Sequence, residues 1–235
     1  MIVGGIQWTS MVDFPGHIAV SLFTTGCNYR CPFCHNPELV LASDQRPRAS
    51  ITESWILAEL EERVGFHDAV VISGGEPTLH DDLAEFLTKV RRMGYATKLD
   101  TNGSRPEVVA ALLDRGLVDF IAMDIKAPRN RYAALAGVQV DLVPVEQTMH
   151  LLKERAPDYE LRTTVAPTLT ADDLLSIGQW IRDARKYYLQ AFQAGPDKLL
   201  LDPAWQAKPA LEKEALEAVW EQLRAMGLRE GGVRA

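Results

Sequence analysis

The chain has 235 residues, of which 47% are hydrophobic and 24% are charged, and its formal net charge is −7 at pH 7. This is the composition of a soluble globular protein with a substantial core, and the negative charge gives no support for a nucleic-acid or anionic-membrane partner. No apolar run reaches the ~18 residues of a membrane-spanning helix. Residues 1–10 lack the basic start and apolar core of a signal peptide, so we expect a cytoplasmic protein.

The first part of the chain predicts strands that lead to a cysteine-rich stretch. Met1–Gly16 contains a short strand or arm and ends in the turn sequence Asp13-Phe-Pro-Gly16. Ile18–Thr24 is an apolar, β-rich run of strand length, and it leads directly to the cysteines between Gly26 and Leu39. Leu41–Ser50 is polar and aperiodic, which predicts a loop.

Beyond this loop, apolar strand-like runs alternate with amphipathic helical patterns. The predicted helices are Ser54–Val64, Asp81–Met93, Pro106–Asp114, Val145–Arg155, Asp172–Ala184 and Glu212–Met226. The predicted strands after Ile18–Thr24 are Ala69–Ser73, Tyr95–Leu99, Asp119–Ile125, Tyr159–Val165 and Lys186–Phe192. Six strands alternating with six helices are typical of repeated βαβ units, so the pattern predicts an α/β fold with a parallel sheet.

The end of the chain gives no sign of a second domain. Arg229–Ala235 is polar and is predicted to be a frayed tail. Because no segment has the composition of a linker, we expect one domain over residues 1–235. Its core would cover about residues 16–195, and residues 196–235 would form a C-terminal helix and tail.

All three cysteines of the chain lie close together, at Cys27, Cys31 and Cys34, with C-x3-C-x2-C spacing. An odd number of cysteines in a chain without an export signal favours metal binding over disulfides. A structural zinc site or a closed iron–sulfur cluster takes four protein ligands, whereas three ligands leave one coordination position for water or substrate. The pattern therefore predicts a metal centre that acts on a bound molecule.

Two other readings of these cysteines are weaker. In a zinc knuckle His35 would be the fourth ligand, but the adjacent Cys34 and His35 cannot easily both bind one small tetrahedral ion. Residues 31–35 also match the C-x-x-C-H pattern of haem attachment. That reading leaves Cys27 without a role.

Polar residues cluster where the predicted strands end. Active sites of parallel α/β folds lie at the carboxyl ends of the strands, so these residues are candidates for a binding site. Two glycines, three acids, a Lys–Arg pair and two neutral polar side chains would suit a zwitterionic molecule beside a metal. The acids and basic residues could instead be helix caps or surface charges. The candidates are Gly74, Gly75, Glu76, Asp100, Thr101, Asp124, Lys126, Arg162 and Gln190.

Several motifs taken together resemble one protein family. The cysteine motif with Phe33 before its last cysteine, and Gly-Gly-Glu-Pro after the second predicted strand, resemble the radical S-adenosylmethionine superfamily. The fuller set is similar to the glycyl-radical-enzyme activases, and most closely to the anaerobic ribonucleoside-triphosphate reductase activating proteins. That set comprises Asp13-Phe-Pro-Gly16, Gly26–Leu39, Ile72–Leu79, Asp100-Thr-Asn-Gly103 and Met123-Asp-Ile-Lys126.

The resemblance implies a fold, cofactors and an activity. The fold would be a partial (β/α)6 barrel with parallel strands, and a [4Fe–4S] cluster would be bound by Cys27, Cys31 and Cys34. Reductive cleavage of S-adenosylmethionine on this cluster would give a 5′-deoxyadenosyl radical. The radical would take hydrogen from a glycine of a partner enzyme, the anaerobic ribonucleotide reductase. Reduced flavodoxin or ferredoxin would supply the electron, and no nucleic acid or membrane would be involved.

The resemblance also assigns roles to the residues at the strand ends. Gly74, Gly75 and Glu76 would meet the methionyl amino group of S-adenosylmethionine, and the Phe33 backbone would meet the adenine. In related activases the acids at the positions of Asp100 and Asp124 also help to hold a monovalent cation. Asp100, Thr101, Asp124 and Lys126 would contact the methionyl and ribose end of the cofactor, and Arg162 and Gln190 would complete the cofactor-binding set.

The sequence departs from related activases at two places. Pyruvate formate-lyase activases carry a cofactor-contacting histidine after the sixth strand, where this chain has Leu189-Gln-Ala-Phe-Gln193. The chain also lacks the extra cysteines of activases with a ferredoxin-like insertion, so we expect one cluster. The alternatives are activation of another glycyl-radical enzyme, a small-molecule substrate, or a non-catalytic metal or electron-carrier protein.

Overall fold

The computed structural model describes residues 1–41, 51–193, 195 and 199–234. Most of the predicted Leu41–Ser50 loop therefore lies outside the described residues. In the described part of the chain no helix has the length and apolar character needed to cross a membrane. The strands are Val3–Ser10 (β1), Ala19–Thr24 (β2), Ala69–Gly74 (β3), Ala96–Thr101 (β4), Phe120–Asp124 (β5), Tyr159–Val165 (β6), Lys186–Ala191 (β7) and Glu230–Arg234 (β8).

The helices confirm the predicted alternation and add two short segments. Thr52 is the N-cap of the helix that begins at Glu53, since its side chain accepts a hydrogen bond from Trp55 N. The two short helices were not predicted because four or five residues carry too little periodicity. The helices are Pro37–Val40 (α1), Glu53–Glu62 (α2), Leu83–Arg92 (α3), Pro106–Asp114 (α4), Tyr132–Ala136 (α5), Leu142–Arg155 (α6), Ala171–Trp180 (α7) and Lys213–Ala225 (α8).

The chain divides into two compact units. The first comprises Met1–Asn28, Glu38–Ala122 and Pro144–Asp158, and the second comprises Tyr29–Pro37, Met123–Val143 and Tyr159–Ala235. The boundary passes through the cysteine stretch and through β5. The expectation of a single domain remains a prediction.

In the first unit the strand order is β1-β2-β3-β4-β5. β1 runs antiparallel to β2, whereas β3 is parallel to both β2 and β4. The middle strands are almost continuously buried, as expected for parallel strands that are covered on both faces. Phe14 of the Asp13-Phe-Pro-Gly16 turn belongs to the core and packs against Phe120, with ring centroids 5.7 Å apart.

In the second unit the strand order is β5-β6-β7-β8. β7 is parallel to β6 and to β8. Along β6 and β7 fully buried side chains such as Leu161 and Leu189 alternate with half-buried Arg162 and Gln190. The partly exposed positions therefore include the predicted site residues Arg162 and Gln190. The predicted α/β class with parallel strands is confirmed.

The predicted frayed tail is wrong for residues 230–234, which form β8. Arg234 donates two hydrogen bonds to the buried Glu160 carboxylate, at 2.8 and 2.7 Å, and its guanidinium lies 3.4 Å from the centre of the Tyr188 ring. Gly231 has φ +139°, and a Cβ there would collide with the Tyr187 carbonyl group. These long-range contacts stabilise a strand that has little β-propensity of its own.

β4 is also longer than predicted. The predicted strand ends at Leu99, but β4 continues through Asp100 and Thr101. The two polar residues therefore occupy strand positions with alternating directions instead of lying in the following loop. Lys98 and Asp100 consequently share one face of β4.

Candidate functional site

Cys27 in the first unit follows β2 after a short turn. The turn is fixed by hydrogen bonds from Thr25 N to Ile2 O at 3.0 Å and from Gly26 N to Leu39 O at 2.7 Å. Gly26 has φ +83°, a left-handed conformation that glycine adopts without strain. Cys27 is half-buried beyond this turn.

In the second unit, residues 29–37 carry Cys31, which is buried, and Cys34, which is half-buried. Cys34 N donates to Cys31 O at 3.0 Å and closes a tight turn. Arg30 N donates to Ala136 O at 2.8 Å, at the end of α5. The backbone of the cysteine loop is therefore fixed within this turn and at the residue that precedes it.

A segment before α8 also packs on this loop. Leu201 N donates to Cys34 O at 3.1 Å, and Asp202 N donates to Pro32 O at 2.9 Å. The buried Phe33 ring lies 5.9 Å from the Trp205 ring. This support was missed because residues 201–205 are far from the cysteines in sequence.

The three cysteines are thiols and do not form disulfides. Searched over the described residues, the structure holds no group of three or more His, Cys, Asp or Glu side chains placed to hold a metal ion. The chemistry of the donor set nevertheless fits an iron–sulfur cluster. Lys126 lies close enough to Cys31 for their charges to interact, and a nearby cation favours the thiolate form that binds metal.

The Gly74-Gly75 pair brings the end of β3 against the backbone that precedes Cys27. Gly75 N donates to Thr24 O, and Glu76 N donates to Gly26 O, both at 2.8 Å. A Cβ on Gly74 would collide with the Thr24 backbone, and one on Gly75 would collide with the Gly26 carbonyl group. The approach therefore requires two glycines.

Glu76 is almost completely buried, with 1% of its surface exposed. Its Oε1 accepts hydrogen bonds from Thr78 N at 3.2 Å, Thr78 Oγ1 at 2.5 Å and Thr101 Oγ1 at 2.8 Å. Its Oε2 accepts one from Asn102 N at 2.7 Å. Burial raises the pKa of Glu76 above its ordinary value, although these donors oppose the shift. The carboxylate thus fixes the end of β3 to the end of β4.

Asp100, next to Thr101, has a different environment. Lys98 Nζ donates to Asp100 Oδ1 at 2.6 Å, and Ser73 Oγ donates to Oδ2 at 3.0 Å. Lys98 lies in the first unit and is itself buried. It is not among the site residues that were predicted from the sequence. Its only signal in the sequence is a lysine inside an apolar strand.

A polar bridge joins the start of the cysteine loop to the turn after β4. Asn102 Nδ2 donates to Asn28 Oδ1, and Asn28 Nδ2 donates to Ser104 Oγ, both at 2.8 Å. Ser104 N completes the bridge by donating to Asn102 Oδ1 at 2.9 Å. These residues were not predicted as site residues, because the two asparagines are 74 positions apart.

In the second unit an ion-pair group surrounds Asp124 at the end of β5. Arg162 Nε lies 2.5 Å from Asp124 Oδ1, and Lys126 Nζ lies 2.8 Å from Oδ2. Burial alone would raise the pKa of Asp124, but the two cations outweigh it and hold that pKa well below its ordinary value. Burial would lower the pKa of Lys126, yet Asp124 and Cys31 raise it.

Gln190 is half-buried in β7, where its neighbours in register are Thr164 of β6 and Arg234 of β8. The predicted site residues are thus divided between the units. The first unit holds Cys27, Gly74, Gly75, Glu76, Asp100 and Thr101. The second holds Cys31, Phe33, Cys34, Asp124, Lys126, Arg162 and Gln190.

Known proteins resemble this chain in sequence and in fold. Residues 21–181 match the radical SAM superfamily. The chain is 31% identical over 198 residues to a Methanocaldococcus jannaschii protein that is named, provisionally, a glycyl-radical enzyme activating enzyme. That match covers 82% of this chain and 80% of the relative. The chain is also 31% identical over 193 residues to the pyruvate formate-lyase-activating enzyme of Listeria monocytogenes, covering 77% of this chain and 75% of that enzyme.

Solved structures show the same fold. Streptococcus suis SuiB bound to S-adenosylmethionine superposes with a TM-score of 0.66 at 13% identity, over 90% of this chain and 49% of SuiB. The chain thus spans about half of that protein. Members of the matched superfamily use a [4Fe–4S] cluster and S-adenosylmethionine. The chain belongs to the radical SAM superfamily and, within it, to the glycyl-radical-enzyme activating enzymes.

Proposed function

We propose that this chain binds a [4Fe–4S] cluster and S-adenosylmethionine and generates a glycyl radical on an anaerobic ribonucleoside-triphosphate reductase. The observation that carries the cofactor part is the contact between the Gly-Gly-Glu-Pro loop and the start of the cysteine loop. Gly75 and Glu76 donate backbone hydrogen bonds to the two residues, Thr24 and Gly26, that flank the turn into Cys27. A glycine-rich strand end fixed beside a cysteine ligand can position a small molecule next to a metal centre.

The proposed cluster ligands are Cys27, Cys31 and Cys34. The support comes from their spacing, from the absence of disulfides and from the Lys126 charge beside Cys31. Three thiolates leave one iron open, and the amino and carboxylate groups of S-adenosylmethionine would fill that position. The hydrogen bonds to the carbonyl groups of Pro32 and Cys34 hold the loop in place before the cofactors bind.

The remaining site residues have distinct proposed roles. Carbonyl oxygens of the Gly74–Glu76 loop are the acceptors for the methionyl ammonium group, because the Glu76 carboxylate already accepts four protein hydrogen bonds. Thr101, held by Glu76, and Asp100 contribute from β4. Asp124, Lys126, Arg162 and Gln190 contribute charge and hydrogen bonds from the second unit, and the Phe33 backbone contacts the adenine.

These cofactors would supply reductive cleavage of the sulfonium C–S bond and a 5′-deoxyadenosyl radical that takes hydrogen from a glycine of the partner. The chain's own residues bind and orient. Lys126 remains an ammonium group, since its raised pKa keeps it protonated at neutral pH. Asp124 remains a carboxylate because its pKa is lowered. A fixed pair of charges can therefore hold a zwitterionic ligand without a proton transfer.

The cofactor assignment is tested by anaerobic reconstitution with iron and sulfide. We expect about four irons per chain and 5′-deoxyadenosine that forms only when a reductant, such as reduced flavodoxin or ferredoxin, is supplied. Cys31→Ala should abolish both, because it removes a thiolate ligand. Stoichiometric zinc without S-adenosylmethionine cleavage would instead indicate a non-catalytic metal protein.

The choice of reductase rests on the motif resemblance, and pyruvate formate-lyase is the second candidate partner. The Listeria relative named a pyruvate formate-lyase-activating enzyme favours that candidate. The glutamines at residues 190 and 193, where such activases carry a histidine, count against that candidate.

The partner is tested by mixing the reduced, reconstituted protein and S-adenosylmethionine with each purified candidate enzyme. We expect the doublet of a glycyl radical in the electron paramagnetic resonance spectrum of the reductase sample. A reductase variant with alanine in place of the radical-bearing glycine is the control. A doublet only in the formate-lyase sample would reject the reductase as the partner.

A further inference from the structure

The carboxylates of Asp100 and Asp124 are both occupied by cationic or hydroxyl donors of this chain. Asp100 Oδ1 lies 2.6 Å from Lys98 Nζ, and Oδ2 accepts a hydrogen bond from Ser73 Oγ at 3.0 Å. Asp124 Oδ1 and Oδ2 lie 2.5 and 2.8 Å from Arg162 and Lys126, respectively. Each acid, taken within its own unit, is therefore already neutralised by a protein cation.

This arrangement does not fit the monovalent cation that the family resemblance assigns to these two acids. A carboxylate attracts an alkali cation mainly through its negative charge, and a protein cation paired with the same carboxylate weakens that attraction. A metal ion bound to Asp100 Oδ1 would approach the Lys98 ammonium group, and the two positive charges would repel each other strongly in a partly buried site.

The buried position of Lys98 indicates that its positive charge has a role beside Asp100. Lys98 is 2% exposed, its neighbour in register is Val71 of β3, and its Nζ lies 5.8 Å from the centre of the Phe120 ring. Burying an ion pair in such surroundings is often no more stable than filling the space with apolar side chains. A lysine at this buried position needs Asp100 as its partner, and its ammonium group keeps one positive charge beside that carboxylate permanently.

We propose that the Lys98 ammonium group is a built-in replacement for the monovalent cation, so that the chain needs neither potassium nor sodium. Lys98 acts as a positioning residue, since it holds the Asp100 carboxylate in place. The consequence for S-adenosylmethionine binding rests on the proposed function. The consequence for cation binding does not.

The wild-type protein provides the first test. The melting temperature of the cluster-free protein is measured in potassium, sodium and tetramethylammonium chloride at equal ionic strength. Tetramethylammonium is too large for an alkali-metal site. We expect melting temperatures that agree within about 1 °C, because a specifically bound cation would add a few degrees. A melting temperature that is clearly higher in potassium or sodium chloride than in tetramethylammonium chloride would overturn the proposal.

Removing the lysine should create the missing site. Lys98→Ala removes the ammonium group that pairs with the Asp100 carboxylate and leaves a space beside it, so potassium or sodium should raise the melting temperature of this variant by about 2–4 °C over tetramethylammonium. The double variant K98A/D100N lacks the carboxylate and should lose this response. Lys213→Ala, which changes an exposed lysine, should behave as the wild type does. An unchanged response in K98A, or an equal response in the double variant, would contradict the replacement.

The same comparison is made for S-adenosylmethionine binding by the reconstituted proteins, using isothermal titration. We expect one dissociation constant for the wild type in all three salts, and binding by K98A that is about five- to tenfold tighter in potassium than in tetramethylammonium. A wild-type constant that depends on potassium would overturn the proposal. Absence of binding in every salt would reject the proposed function, while the melting-temperature experiment would still decide the question of the cation.

Discussion

Three acids near the strand ends are satisfied in three different ways. Neutral N–H and O–H donors surround Glu76, a single buried lysine pairs with Asp100, and two basic side chains pair with Asp124. Neutral donors fix the geometry of a carboxylate, whereas cations also compensate its negative charge. These differences predict different results when each acid is replaced by its amide.

For Glu76→Gln we expect a loss of about 1–3 kcal/mol in the free energy of unfolding. The glutamine carries an NH2 group in place of one carboxylate oxygen. This donor would face another donor, either the Asn102 N–H or the groups of Thr78 and Thr101. Urea unfolding at pH 7 measures this loss. Glu85→Gln, at an exposed carboxylate, is the matched control and should change stability by less than about 0.5 kcal/mol. Equal losses in the two variants would refute a structural role for the Glu76 carboxylate.

Asp124→Asn should be more costly, because it leaves Arg162 and Lys126 without their carboxylate. We expect a loss of about 3 kcal/mol in the free energy of unfolding at pH 7. This is the lower end of the range for buried pairs, because 22% of the Asp124 side chain is exposed. Asp183→Asn, in an exposed pair 4.0 Å apart, is the control and should have almost no effect.

The pH dependence of this loss follows from the lowered pKa of Asp124. The folded-state pKa lies below the unfolded value of about 3.9, so the stabilisation is fully present above the unfolded value and is lost as the pH falls through the folded one. The difference in unfolding free energy between wild type and variant should therefore be constant from about pH 7 to pH 5 and should shrink only below about pH 4. A difference that already shrinks between pH 7 and pH 5 would contradict the ion-pair explanation.

At the scale of elements, α5 supports the cysteine loop through its C-terminal glycine. Gly137 has φ +70°, and a Cβ there would collide with the carbonyl group of Arg30. Gly116 ends α4 with φ +60°, and among the described residues no atom beyond its chain neighbours lies within 4 Å of its Cβ position. The two positions therefore share a backbone conformation and differ in their surroundings.

We expect Gly116→Ala to cost about 1 kcal/mol, the penalty for the left-handed conformation alone. Gly137→Ala should cost clearly more and should also reduce the iron bound after reconstitution, because the loop carrying Cys31 must shift. Urea unfolding and iron analysis of both variants measure the two effects. If the variants lose equal stability and bind equal iron, the contact with Arg30 does not support the cysteine loop.

β8 depends on the pair formed by Arg234 and Glu160. Arg234→Ala leaves Glu160, which is 2% exposed, without its bidentate partner, so we expect a loss of about 3 kcal/mol in urea unfolding. Arg234→Lys should recover only part of this loss, because an ammonium group cannot make the two parallel hydrogen bonds. Arg224→Ala, at an exposed pair, is the control. A loss no larger than in that control would mean that the pair does not stabilise β8.

At the scale of the whole molecule, cofactor binding should be visible in stability. A ligand that binds only the folded chain raises the melting temperature, so the reconstituted protein should melt at least roughly 3 °C above the iron-free protein. Removing the iron with a chelator should reverse this rise, and Cys27→Ser should never show it. Scanning calorimetry under anaerobic conditions measures each state, and an unchanged melting temperature on reconstitution would count against a resident cluster.

Local patterns predicted much of the fold. The helices were found to within a few residues because their apolar periodicity and caps, such as Thr52, are local properties. The alternation of strands and helices identified the α/β class. β8 could not be found in this way, since its residues become a strand only beside β7 and through the Arg234–Glu160 pair.

The sequence by itself determined the three-cysteine motif, the glycine pair and the order of the elements, because these depend on residue type and spacing. Only the tertiary structure decided which partners each acid has. It showed that Glu76 links the ends of two strands and that Lys98 forms an ion pair with Asp100. It also showed that Trp205 packs on the cysteine loop. The physical reason is that a charge or ring acquires its role from neighbours that folding brings together, and in the case of Trp205 those neighbours lie far away in the chain.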